Sequence, residues 1–156
     1  MSNMLSENMN IVHLLEAQDH NAGVDCDSFH AGRVSHFAII LSFGELTGDA
    51  VLTVESGATA GTKTTAETFR YRTADAVLKT ATGDTYGDWA TSASLTLTAA
   101  TYEDKTLILE MDSDELTDGQ PWVTVALSSA ASEIFVAVIA VCTPRFGAHD
   151  PLTLIS

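Results

Sequence analysis

Five carboxylates fall within nine residues of one stretch: Glu110, Asp112, Asp114, Glu115 and Asp118. Carboxylates so close together can ligate a metal, act as a catalytic acid–base pair, or solvate a turn. A calcium loop of the EF-hand kind needs oxygen ligands at positions one, three and five, glycine at six and glutamate at twelve. Counted from Asp112, the third position is Asp114, but Leu116 and Thr117 then break the pattern. A non-standard calcium site from Asp112, Asp114 and Asp118 remains as an alternative, since acidic loops at sandwich ends bind this ion. Glycosidase chemistry needs two carboxylates about 5–10 Å apart, one with a raised pKa, and nothing around the stretch suggests such a pocket. Asp118–Gly119 is a strong turn dipeptide and Pro121 stiffens the exit, so the preferred reading is a strand-to-strand turn.

Other residues with chemical potential are scattered. Cys26, His30 and His36 have a C-x3-H-x5-H spacing, with Asp25 and Asp27 nearby. Structural zinc sites use tighter pairs that converge in tetrahedral geometry, so polar surface or interface histidines are the ordinary explanation. His13 and His149 have no partner spacing. Cys26 and Cys142 are too sparse for a disulfide scaffold and sit among apolar neighbours, as buried free thiols do. No Gly-x-Ser-x-Gly elbow, His-Glu-x-x-His or phosphate-binding glycine run is present. The chain is therefore read as a non-enzyme with no cofactor.

The elements that would position these residues are mostly strands. "VSHFAIILSF" puts Phe37, Ile39, Leu41 and Phe43 on one face and Val34, His36, Ala38 and Ile40 on the other. "AVLTVES", "ETFRYRT", "SLTLT", "KTLILEM" and "WVTVALS" alternate in the same way, and "DAVLKT" is a further short candidate. Seven to nine strands with turns every 8–15 residues indicate an antiparallel sandwich or barrel. Near the N-terminus, "SENMNIVHLLEA" predicts a short helix capped by Ser6, with Met9, Val12 and Leu14 or Leu15 on its stripe. The expected organisation is one domain, with an arm and lead-in over 1–33, a sandwich over 34–146 and a tail over 147–156.

At 156 residues the chain can hold a core without staples. Seven Lys and Arg against 21 Asp and Glu give a net charge of −14, a field that opposes nucleic-acid binding. The only basic cluster, Arg70–Tyr71–Arg72, places both arginines opposite Tyr71 on a strand. They are either a solvated face or a contact for an acidic partner. The longest apolar run, Ile134–Cys142, is far short of the ~20 residues needed to span a bilayer, and the N-terminus lacks a signal-peptide pattern. A soluble protein made in a cytoplasm, with no membrane partner, is expected.

That apolar run carries the clearest hint of a partner. Ile134, Val136, Val138 and Ala140 share one face, while Phe135, Ala137, Ile139 and Val141 share the other. Antiparallel strands normally alternate apolar with polar, so both faces need cover. The core can take one, and an N-terminal segment, a second subunit or a larger assembly the other.

The order of these segments resembles a group of small tailed-bacteriophage virion proteins. The similarity is carried by "RVSHFAIILSFGELTGDAVLTVESGATAG", the acidic strand-turn-strand "LILEMDSDELTDGQPWVTVALS", and the final apolar strand entering "CTPRF". It covers most of Val34–Phe146. The resemblance implies a β-sandwich, jelly-roll-like, that decorates or cements a capsid. It implies a homo-oligomer, dimer or trimer, on the outer surface of the virion, bridging major capsid protein subunits. Candidate interface residues are Val12, Leu14 and Leu15 of the arm, Ile134, Val136 and Val138 of the last strand, and Leu152, Leu154 and Ile155 of the tail. On this reading, deleting 1–20 or the tail after Phe146 would weaken attachment more than folding. The alternative is a ligand- or glycan-binding sandwich, such as a head fibre or adsorption module, with Tyr86, Trp89 and Trp122 as sugar platforms and calcium in the acidic loop. A head–tail connector is a third reading.

Overall fold

The computed structural model describes residues 4–145 and 153–156. Phe146, His149 and Leu152 lie outside the described residues. A four-residue helical turn, Leu5–Asn8, leads into strand β1 (Asn10–Asp19). Then follow β2 (Val24–Asp25), β3 (Phe29–His30), β4 (Val34–Leu46), β5 (Ala50–Gly57), β6 (Thr65–Ala66) and β7 (Phe69–Thr73). The series continues with β8 (Ala90–Ser92), β9 (Leu95–Leu97), β10 (Thr106–Asp112), β11 (Trp122–Leu127) and β12 (Ile134–Pro144).

These strands make two antiparallel sheets. One has the order β1-β12-β4-β10-β7-β8, and the other β2-β11-β5-β6, with β3 also pairing β11 and β9 also pairing β5. The pairs are nested: β1 with β12, β2 and β3 with β11, β4 with β10, β5 with β9. Successive pairs fall in opposite sheets, so a long antiparallel ribbon is wrapped around itself. This is the topology of a jelly roll, with the β7–β8 hairpin widening the first sheet.

The core follows from the alternation in the sequence. Phe37, Ile39, Leu41 and Phe43 of β4, Leu107, Leu109 and Met111 of β10, and Leu52 and Val54 of β5 are all buried. Val123, Val125 and Leu127 of β11 close the layer from the second sheet. Phe29 and Phe37 meet edge-to-face between the sheets, with ring centroids 5.1 Å apart. Both cysteines are free and buried, and burial pushes each thiol up to about 12.

The N-terminal segment departs from expectation. In place of a helix on an arm, Asn10–Asp19 is an edge strand of the larger sheet, with Val12, Leu14 and Leu15 packed into the core. The register with β12 shifts between His13 and Leu15 and again between Leu15 and Gln18. These irregularities break the two-residue alternation and leave a spacing that imitates a helix. Residues expected to form a lead-in also contribute β2 and β3 to the second sheet, so the sandwich begins well before Val34. Deleting 1–20 would therefore remove a strand and its core residues, which strikes the fold itself. "DAVLKT" is likewise not a strand. It lies in a chain of turns where Lys79 and Thr82 have positive φ and the Thr80 and Thr85 hydroxyls donate to the carbonyls of Val77 and Thr82.

Candidate functional site

The acidic stretch forms a pinned turn. β10 ends at Asp112, Ser113–Glu115 makes one 3-10 turn, and the chain reverses through Asp118–Gly119, where Gly119 has φ 77°. That left-handed conformation suits glycine because a Cβ would strain it. The Asp112 backbone N–H donates to Glu115 Oε2 at 2.8 Å. Arg70 grips Glu115 through two N–H···O bonds of 2.7 and 2.9 Å and also reaches Asp112. His36 spans two carboxylates: its Nδ1 lies 2.8 Å from Asp112 and its Nε2 lies 3.0 Å from Glu110. Asp114 accepts from Arg145 at 2.9 Å.

The hydrogen bond from His36, then the positive charges of His36 and Arg70, hold the Asp112 carboxyl below its ordinary range. Two of the three candidate calcium ligands, Asp112 and Asp114, are thus already engaged by cations of the same chain. Among the described residues, no group of three or more His, Cys, Asp or Glu is placed to hold a metal ion. Cys26, His30 and His36 are not brought together: His30 lies beside Trp122, while His36 sits on the outer face of the other sheet.

The candidate interface residues are mostly interior. Among the described candidates, Val12, Leu14, Leu15, Ile134, Val136, Val138 and Leu154 belong to the hydrophobic core and Ile155 is exposed. Leu154 is fixed by its carbonyl, which accepts from the His30 N–H at 2.8 Å, while Arg33 donates to the Thr153 carbonyl. A side chain packed in its own core is not available to a partner. For β12 the correction is one of face. The even-numbered side of the strand meets the core, and the odd-numbered side, from Phe135 to Val141, looks outward.

This outward side is the centre of a larger apolar surface. β12 lies between β1 and β4, and the registers set His13, Ile139, Ile40, Ile108 and Arg72 in one row across five strands. The next row runs Ile11, Val141, Ala38, Glu110 and Arg70. Ile11 and Phe135 are exposed, and Leu78 reaches the groove that Phe135 and Ala137 line. Along these rows Ile40, Ile108, Ile139 and Val141 are half-buried side chains on the outward side of the sheet.

At the far end of the first row stands Arg72. Its guanidinium carbon is 4.7 Å from the ring centre of Trp89 and 5.2 Å from that of Tyr86. The aromatic residues that the sequence offered as sugar platforms are therefore occupied by an arginine. Trp122 is half-buried and its ring meets His30 edge-on at 5.0 Å. The sequence showed both the Arg70–Arg72 pair and these aromatics, but their meeting depends on the 74–89 loop folding back over β7, which local patterning does not encode.

No family model and no curated protein matches the sequence. Among solved structures, the chain is similar to the crystal structure of the SPBc2 prophage-derived protein YomS, with 15% identity and a TM-score of 0.52. The alignment covers 85% of this chain and 94% of that one, and at this identity the likeness is one of fold.

Proposed function

We propose that this chain is a structural virion protein of a tailed bacteriophage, which binds the outside of the capsid and stabilises it by bridging major capsid subunits. The observation that carries this reading is the outer face of the larger sheet, where Ile139, Ile40 and Ile108 stand side by side and half-buried on the side away from the core. A rigid sandwich with one apolar face and pinned loops is suited to docking on a lattice. The fold likeness to a prophage-derived protein supports a phage origin. The resemblance of Val34–Phe146 to phage decoration proteins supports the capsid as the partner. The net charge of −14 would keep an abundant subunit soluble before assembly. On this reading the protein is a homo-oligomer on the virion surface and performs no catalysis.

The calcium-dependent ligand-binding alternative has less support, since Asp112 and Asp114 are engaged by His36, Arg70 and Arg145. The test is quantitative mass spectrometry of purified virions. A copy number equal to that of the major capsid protein, or a simple fraction of it, is expected. A handful of copies per particle would indicate a fibre or neck component, and absence from the virion would overturn the reading.

A further inference from the structure

We infer that the outer face of the larger sheet recognises a partner protein that presents an Asp or Glu carboxylate to Arg72, next to an apolar side chain seated over Ile108 and Ile40. This rests on the virion reading above and names the chemistry by which the capsid subunit would be held.

Arg72 is out of keeping with its surroundings. Among the described residues, Arg70 pairs with Glu115 and Asp112, Arg145 with Asp114 and Lys63 with Asp25, while Arg33, Lys79 and Lys105 form no ion pair. Arg72 pairs with no described carboxylate either, and it differs from those three in that its Nε is buried without a hydrogen-bond partner among the described residues. Instead, Tyr86 and Trp89 stack near its guanidinium, which fixes the orientation of the fork while leaving its charge uncompensated. A fork held in advance loses little conformational entropy when it binds. The aromatic–arginine combination is also the one enriched at interface hot spots.

Position links this charge to the apolar face. Arg72 is opposite Ile108, which is opposite Ile40. Neighbouring strands are about 4.8 Å apart, so the charge and the centre of the patch lie within about 10 Å of each other. One partner element can therefore place a carboxylate and an apolar side chain on both at once.

A second copy of this chain is a poor occupant. On β10 the carboxylates are already taken, Glu110 by His36 and Asp112 by His36 and Arg70. Two copies meeting here would each bring a net charge of −14, which opposes their approach. The complement is a different protein with an acidic residue at the edge of an apolar patch.

The test is cosedimentation of the purified chain with phage heads assembled without it, using Arg72→Met, Arg72→Lys and Ile139→Asp, each checked for an unchanged Tm. Wild type is expected to bind, and Arg72→Met to bind roughly 10- to 100-fold more weakly, the range of a charged hydrogen bond. Arg72→Lys should recover only part of the loss, and Ile139→Asp should abolish attachment. If wild type binds and the three variants bind equally well, the face is wrong while the virion reading stands. If wild type does not bind, both fall. A wild-type dimer dissociated by Ile139→Asp would make a second copy the occupant. Arg72-dependent binding to an acidic polysaccharide, with head binding unaffected, would make the site a glycan site. Either of these would overturn the inference.

Discussion

Three valines on one strand provide a test in which identical atoms are removed from opposite faces. Val136 and Val138 of β12 point into the core and are 2% and 0% exposed, whereas Val141 points outward and is half-buried. Val138 sits between Leu15 of β1 and Leu41 of β4, so truncation leaves a hole that neighbours on both sides cannot readily fill. Converting Val to Ala removes two methyl groups, about 1.6 kcal/mol at about 0.8 kcal/mol each. A residual cavity of roughly 50 Å³ adds about 1 kcal/mol. The expected loss for Val138→Ala is therefore ~2–3 kcal/mol, a large share of a total stability on the order of 5–15 kcal/mol. For a chain of this length, that lowers Tm by about 5–10 °C. Val136→Ala should behave alike. Val141→Ala creates no cavity and should cost under about 1 kcal/mol. Urea unfolding followed by tryptophan fluorescence would measure all three, with an unchanged slope confirming that only stability has moved. If Val141→Ala proves as costly as Val138→Ala, the outer face is covered in the free protein or the register is off by one residue. The argument for an open docking surface would then fail.

Other expectations follow from the pinned turn and the buried thiols. Because the folded Asp112 carboxyl titrates below its usual 3.8, the unfolded chain binds the proton first as pH falls. The stabilisation by Asp112 is therefore present above about pH 4 and lost below it; Tm measured from pH 2 to 6 should show a shallower acid limb in Asp112→Asn. Cys26 and Cys142, with thiols pushed up to about 12, should resist a thiol reagent at pH 8 and both react in denaturant. Since their folded values are raised, that contribution is complete below the unfolded value near 9 and declines as pH rises beyond it, which an alkaline melting series would detect. Millimolar calcium, or its removal by chelator, should leave Tm unchanged because Asp112 and Asp114 are already paired; a rise that depends on calcium concentration would revive the metal reading.

The strands that could be read from the sequence are those whose period is intact. β4, β5, β10, β11 and β12 alternate without interruption through most of their length, so the core residues Phe37 to Phe43 and Leu107 to Met111 were apparent from spacing alone. β1 was obscured because two register shifts place Leu14 and Leu15 both inward, and the i, i+3 spacing that results belongs equally to a helix. The acidic turn was legible from Asp118–Gly119, but the grip of Arg70 and His36 on it was not, since those residues are distant in sequence and meet only through strand pairing. The outer face illustrates a different limit. Both sides of β12 are equally apolar, and composition cannot say which is interior; only the position of the strand between β1 and β4 decides it.

The pairing of β1 with β12 also governs when this protein can finish folding. Asn10 must wait for Cys142, and Asp19 for Phe135. During synthesis the first strand emerges long before β12, its neighbour in the sheet, and β4 presents an unpaired inner edge until β12 slots between them. Contacts so remote in sequence close slowly. In that interval Val12, Leu14 and Leu15 lack their partners on β12, and the open edges invite pairing with other nascent chains. A ribosome stalled before Ile134 would therefore hold a chain that is long and rich in strands yet lacks the strand that joins its first sheet. Production of soluble protein should thus respond to chaperone supply and growth temperature more than the stability of the finished sandwich would suggest.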